Sequence, residues 1–269
     1  MEWFRHLFYQ LMLRIQKRRI MTFTQFLRVP TQYTALTGPV LDALMSGRTE
    51  EHIDIAVWGC SNGAEPNTIA SMLLASRPGL SFTVHAYDIN PDLIERARSG
   101  VYMKEEVFAN KQVSADFVSS TFVVSDGRYL IRPEIRDHVV FAAADALDER
   151  TVSLTPTAEV IFAQNFLFHL RPRDCERAFL NITSRLAPRS VLFIDGMDVD
   201  LRSRLTTRGG LEPLEYQVRE IHDEARQERM NWPICYWGLE PLSTRRSDWK
   251  RRYATIFVQG MKGKLAAAR

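Results

Sequence analysis

From about residue 50 the chain alternates short apolar runs with amphipathic stretches. Ile53–Trp58 (IDIAVW), Ser81–Tyr87 (SFTVHAY), His138–Ala144 (HVVFAAA), Glu159–Ala163 (EVIFA) and Val191–Ile194 (VLFI) have strand length and β-rich composition. Between them, Asn67–Ala75 and Asp174–Leu186 carry apolar residues at helical spacing. Pro91–Arg98 reads as a further helix, capped by Asn90 and stopped by Gly100. Tyr253–Gln259 (YATIFVQ) reads as a last strand. Strands alternating with helices predict βαβ units and hence a doubly wound, Rossmann-like α/β fold with a mostly parallel sheet.

Two stretches stand outside this alternation. Residues 1–20 (MEWFRHLFYQLMLRIQKRRI) place Trp3, Phe4, Leu7, Phe8, Leu11, Met12 and Ile15 on one helical face and basic residues on the other. Such an amphipathic helix packs on its own protein or a partner, or lies on an anionic membrane surface. Charges interrupt the apolar stretch, so it does not read as a secretory signal. Residues 198–250 combine a charged helical stretch, Glu215–Arg229, with Trp232, Tyr236, Trp237 and Trp249. This segment is expected to act as a lid, with Tyr236 and Trp237 as candidate substrate contacts.

Composition changes this picture little. The 269 residues, 45% hydrophobic, suffice for one large folded domain. A net charge of +3 gives no nucleic-acid footprint. Cys60, Cys175 and Cys235 are odd in number and widely separated. They imply neither a disulfide framework nor a metal site, and favour a reducing, cytoplasmic setting.

A doubly wound sheet binds its ligand beyond the carboxyl ends of its strands. The first strand ends in Gly59-Cys60-Ser61-Asn62-Gly63-Ala64-Glu65-Pro66, a turn in which glycines let the backbone approach a ligand. It is not G-x-G-x-x-G, which weakens a nicotinamide reading. The second strand ends in Asp88, an acid placed to accept hydrogen bonds from ribose hydroxyls, or to cap the next helix. Together the two features favour a nucleoside. Glu65 adds a carboxylate suited to an amino group.

The strings WGCSNGAEPNTIASMLL and HAYDINPDLIERARSGVY resemble the chemoreceptor methyltransferases of the CheR type. The likeness continues through DGRYLIRPEIRDHVVFAAADAL, similar to the family's small β-subdomain (about 104–137) and third strand. VIFAQNFLFHL is similar to its fourth strand, and FTQFLRVPTQY to its Thr-x-Phe-Phe-Arg segment, with Leu27 replacing a Phe. The resemblance spans about residues 21–200 of a methyltransferase domain at 21–269, with a last antiparallel strand. It implies S-adenosyl-L-methionine as cofactor, held by Thr24, Gly59, Cys60, Ser61, Gly63, Glu65, Asp88, Ile89, Asp145, Ala146, Asn165 and Phe166. It implies Arg28 near the reaction centre.

Departures fall on the acceptor side. Only about twenty residues precede the matched region, so the family's N-terminal helical domain is expected to be lacking. His169 stands where the family has a Tyr, and is a candidate base for a hydroxyl or amine. The expected reaction is O-methylation of a small-molecule carboxylate or hydroxyl. Methylation of a protein glutamate and a non-catalytic nucleoside-binding module are the alternatives.

Overall fold

The computed structural model describes residues 24–48, 52–229 and 242–261. The amphipathic segment 1–20, Tyr236 and Trp237 lie outside them.

The chain enters through helix α1, Pro30–Ala35, prolonged by a π-helical turn at Leu36–Val40 and a helical turn at Leu41–Met45. Pro39 lacks an N–H and Gly38 leaves helical geometry, which accounts for the irregular middle. Strands β1 (His52–Trp58) and β2 (Ser81–Asp88) follow, separated by α2 (Ala64–Ser76). After α3 (Pro91–Ser99) the chain forms a separate antiparallel sheet. Its strands are β3 (Val101–Met103), β4 (Phe122–Ser125) and β5 (Arg128–Ile131), in the order β3-β5-β4. It returns through β6 (Val139–Ala143), β7 (Ala158–Gln164), α4 (Pro172–Thr183) and β8 (Leu186–Asp195). It closes with α5 (Val199–Arg208), β9 (Glu212–Pro213), α6 (Val218–Arg229), α7 (Trp249–Tyr253) and β10 (Ile256–Gln259).

The main sheet has the order β6-β2-β1-β7-β8-β10-β9. Strands β6, β2, β1, β7 and β8 are parallel; β10 runs antiparallel to both β8 and β9. Strand order reverses between β1 and β7, so a crevice opens above their carboxyl ends.

Alternation along each central strand feeds two cores. Ile53, Ile55 and Val57 of β1, with Val160 and Phe162 of β7, pack beneath α1 and α2. Ala56 and Trp58, with Ile161 and Ala163, face the other way onto Cys175, Ala178, Phe179 and Ile182 of α4.

Several boundaries differ from the expectation. α2 begins at Ala64, three residues early, because Gly63 caps it in a left-handed conformation. α4 ends at Thr183, and Ala187-Pro188 continues inside β8 rather than halting a helix. β10 begins only at Ile256, since Trp249–Tyr253 is helical. The small sheet starts at Val101. Among the described residues no helix is long and apolar enough to cross a membrane.

Candidate functional site

The turn after β1 is built from alternating left-handed residues. Gly59, Ser61 and Gly63 have φ of +75°, +51° and +89°. Gly59 N and Cys60 N both donate to the Tyr87 carbonyl, at 2.8 and 2.9 Å, which ties the turn to the end of β2. A Cβ on Gly59 would lie 2.8 Å from Phe166 Cδ1, so only glycine lets this ring close over the turn.

Asp88 sits beside it, buried. Ser61 N donates to its Oδ2 at 2.8 Å and Asn90 N to its Oδ1 at 3.0 Å. The cap of α3 is Asn90, which accepts from Asp92 N. An ionised carboxylate offers about four acceptor positions, so two backbone donors leave capacity for hydroxyls. Glu65 is buried in the first turn of α2. Burial, then the Asp88 and Glu65 charges, raise the pKa of the Cys60 thiol well above its usual value. The thiol is therefore protonated and unreactive.

Asn165 follows β7 directly. Its φ is +58°, and its N–H donates to the Asp195 carbonyl at 3.1 Å. Gly196 lies against it: an added Cβ there would come within 2.7 Å of Asn165 Cα. Both side-chain atoms, Nδ2 and Oδ1, are buried without a hydrogen-bond partner among the described residues. Leaving a buried amide unsatisfied costs about 1–3 kcal/mol per group, so such an amide at a crevice points to a ligand.

His169 ends a single 3₁₀ turn, Leu167–His169, that Phe168 N pins to the Gly196 carbonyl. Its ring lies 3.9 Å from that of Phe168, and burial pushes its pKa down to about 4. The imidazole is neutral near pH 7. Ile89 follows β2. Asp145 and the buried Ala146 follow β6, where Asp145 Oδ1 accepts from Leu147 N at 2.9 Å.

Arg28, buried, lies on a segment fastened at both ends. Before it, Asn110 Nδ2 donates to the Phe26 carbonyl at 3.1 Å and also to that of Leu27, and Leu27 N approaches Thr68 Oγ1 at 3.4 Å. After it, Gln32 Nε2 donates to Thr255 Oγ1 and Gln164 Nε2 to Gln32 Oε1, both at 2.8 Å. This buried chain holds α1 over the ends of β7 and β10. Glu224 of α6 takes Thr31 N at 3.1 Å and Thr31 Oγ1 at 2.6 Å, so the C-terminal part meets the Arg28 segment. Thr24, half-buried, opens the described chain.

The residue pattern did not single out Gln32 or Gln164, and it placed Glu224 only within the charged stretch Glu215–Arg229. Gln164 carried a faint signal, as a polar residue closing an apolar strand. Among the described residues no group of His, Cys, Asp or Glu side chains is arranged to hold a metal ion.

Residues 22–202 match the S-adenosylmethionine-binding domain of the CheR methyltransferases. The chain is 28% identical over 175 residues to chemotaxis protein methyltransferase 2 of Vibrio cholerae, covering 64% of this chain and 60% of that protein. It is 26% identical over 193 residues to a probable biofilm formation methyltransferase, WspC, of Pseudomonas putida, covering 71% and 44%. It is also 26% identical over 239 residues to an uncharacterised 104.1 kDa protein of Rhodobacter capsulatus, covering 87% and 23%. The chain thus spans less than two thirds of each of these relatives. Among solved structures it is similar to the magnesium protoporphyrin IX methyltransferase of Synechocystis, with 13% identity, a TM-score of 0.37 and coverage of 78% and 86%.

Sheet and turn agree with the family match, which gives residues 22–202 the S-adenosylmethionine-binding domain of a methyltransferase class. Within that class, the chain belongs to the CheR methyltransferase family.

Proposed function

We propose that the protein transfers a methyl group to a carboxylate oxygen. The observation that carries this reading is His169, whose Nδ1 is buried without a hydrogen-bond partner among the described residues and whose pKa burial pushes down to about 4. So weak a base is poorly matched to removing a proton from a hydroxyl or ammonium group at neutral pH. A carboxylate is already ionised there and needs only to be oriented.

The residues present suit the cofactor. The unsatisfied Asn165 amide, the Asp88 carboxylate with acceptor capacity left, and the Gly59–Gly63 turn closed by Phe166 all lie at the strand ends. In this reading Gly59, Cys60, Ser61, Gly63, Glu65, Asp88, Ile89, Asp145, Ala146, Asn165 and Phe166 hold it, with Thr24 at the entry. When bound, S-adenosylmethionine supplies a methyl group on a sulfonium that is already activated. The chain's own task is alignment. Arg28 presents a planar fork able to grip the acceptor carboxylate bidentately. His169 stays neutral, lining the acceptor side.

Relatives named as chemotaxis methyltransferases support a protein side-chain carboxylate as acceptor. A small-molecule acid is the second reading. It is favoured by the contact of α6 with the Arg28 segment, made by Glu224 on Thr31.

Transfer from methyl-labelled cofactor to a chemoreceptor fragment and to a panel of small organic acids tests this. The expected product loses its label as methanol in mild base, as an ester does. A base-stable product, an ether or a methylamine, would overturn the carboxylate reading.

A further inference from the structure

Tyr102 belongs to β3 of the small sheet, outside the doubly wound domain. Its ring is buried edge-on against Phe26, 4.9 Å away, and near Phe122 at 6.2 Å. Phe26 lies two residues before Arg28. The Tyr102 hydroxyl reaches out of the small sheet. It donates to the Asn62 carbonyl at 2.7 Å and accepts from Asn67 Nδ2 at 3.2 Å. Asn62 sits inside the Gly59–Gly63 turn, and Asn67 lies in the first turns of α2. A Cβ on Gly63 would stand 3.1 Å from the same hydroxyl. Burial raises the Tyr102 pKa, so the group remains a donor.

The placement matters because of the neighbouring residue. Ser61 is left-handed without being glycine, a conformation that persists only when its surroundings enforce it. Its N–H is also the donor to Asp88 Oδ2. The Asn62 carbonyl shares its peptide with the Gly63 N–H, which donates to the Cys60 carbonyl at 3.0 Å, and that carbonyl shares its peptide with the Ser61 N–H; holding the first peptide therefore steadies the second. Without the hydroxyl the turn has room to relax, and the Ser61 N–H that orients Asp88 is held less firmly.

We propose that Tyr102 is a positioning residue, whose hydroxyl holds the turn so that Asp88 is oriented before the cofactor arrives. Binding then carries less ordering cost. The inference rests on the reading of Asp88 and the turn as the cofactor site.

Calorimetric titration with S-adenosylhomocysteine of the wild type, Y102F, D88N and the double variant tests it, with thermal unfolding run alongside. Y102F is expected to bind about fivefold more weakly, the change one hydrogen bond is worth. The double variant is expected to match D88N within about twofold, since both changes act through one carboxylate. Y129F, in the same sheet but away from the turn, is expected to stay within about twofold of the wild type. If Y102F binds normally while D88N is weakened, the inference falls and the site reading stands. The inference also falls if the two losses multiply, for the hydroxyl would then act independently of Asp88. If D88N binds like the wild type, the site reading fails and takes the inference with it. Should Y102F not fold, N67A removes the hydroxyl's other partner and is expected to weaken binding in the same direction.

Discussion

His169 illustrates how much a single side chain depends on its surroundings. As a residue type it titrates near 6.5, which made it a candidate base. In the fold its Nδ1 is buried without a hydrogen-bond partner among the described residues, and burial pushes the pKa down to about 4. The sign of the consequence is fixed. Between the unfolded value of 6.5 and the folded value of about 4, the unfolded chain binds the proton and the folded chain does not. The stability due to a neutral His169 is complete above 6.5 and is lost as pH falls through that window. H169F should therefore show a smaller drop in Tm than the wild type between about pH 7 and pH 5. Equal drops in the two proteins would contradict the buried, neutral imidazole. Asn165 makes the complementary case. Its residue type was legible, but not the left-handed backbone and the close approach of Gly196 that place its amide.

Among elements, α1 depends on a distant one. Val29 offers no side-chain cap and Pro30 no N–H, so the helix start lacks a cap of its own. Glu224, 193 residues away, supplies it through two hydrogen bonds to Thr31, and its negative charge suits a helix N-terminus. E224A should cost about 1–2 kcal/mol, the usual value of a lost cap, lowering Tm by several degrees. E220A, at an exposed position on the same helix, should stay within about 0.5 kcal/mol of the wild type. Similar losses for both would mean that removing negative charge from α6, rather than the cap on α1, explains the effect. The central strands were legible because each is a short stretch rich in apolar and β-branched residues. β9 was not, being two residues that pair only because β10 lies beside them. Nor was the end of α4, where Leu186 obeys helical periodicity yet opens a strand. Tertiary pairing outweighed the local pattern there.

At the level of the whole molecule, the turn, Asp88 and Asn165 come from three different strand–loop junctions of one sheet. A ligand that bridges them stabilises the folded chain and has no comparable site on the unfolded one. S-adenosylhomocysteine at about a hundred times its Kd should therefore add about 2.7 kcal/mol of stability and raise Tm measurably. The rise should be lost in D88N; an undiminished shift in that variant would place the ligand elsewhere.

The sequence by itself determined the doubly wound class, the glycine turn, the acid after the second strand and the family to which the chain belongs. These are local signals, since each rests on neighbours in the chain and on a fixed order of short motifs. Only the tertiary structure decided what surrounds them. It brought Tyr102 of a separate sheet onto the turn, Glu224 onto the helix beside Arg28, and Gln164, Gln32 and Thr255 into one buried chain. The burial that neutralises His169 is likewise a product of packing. Hydrogen bonds between residues 40 to 223 positions apart, and the desolvation that shifts a pKa, exist only once the chain has closed on itself, so no local pattern records them.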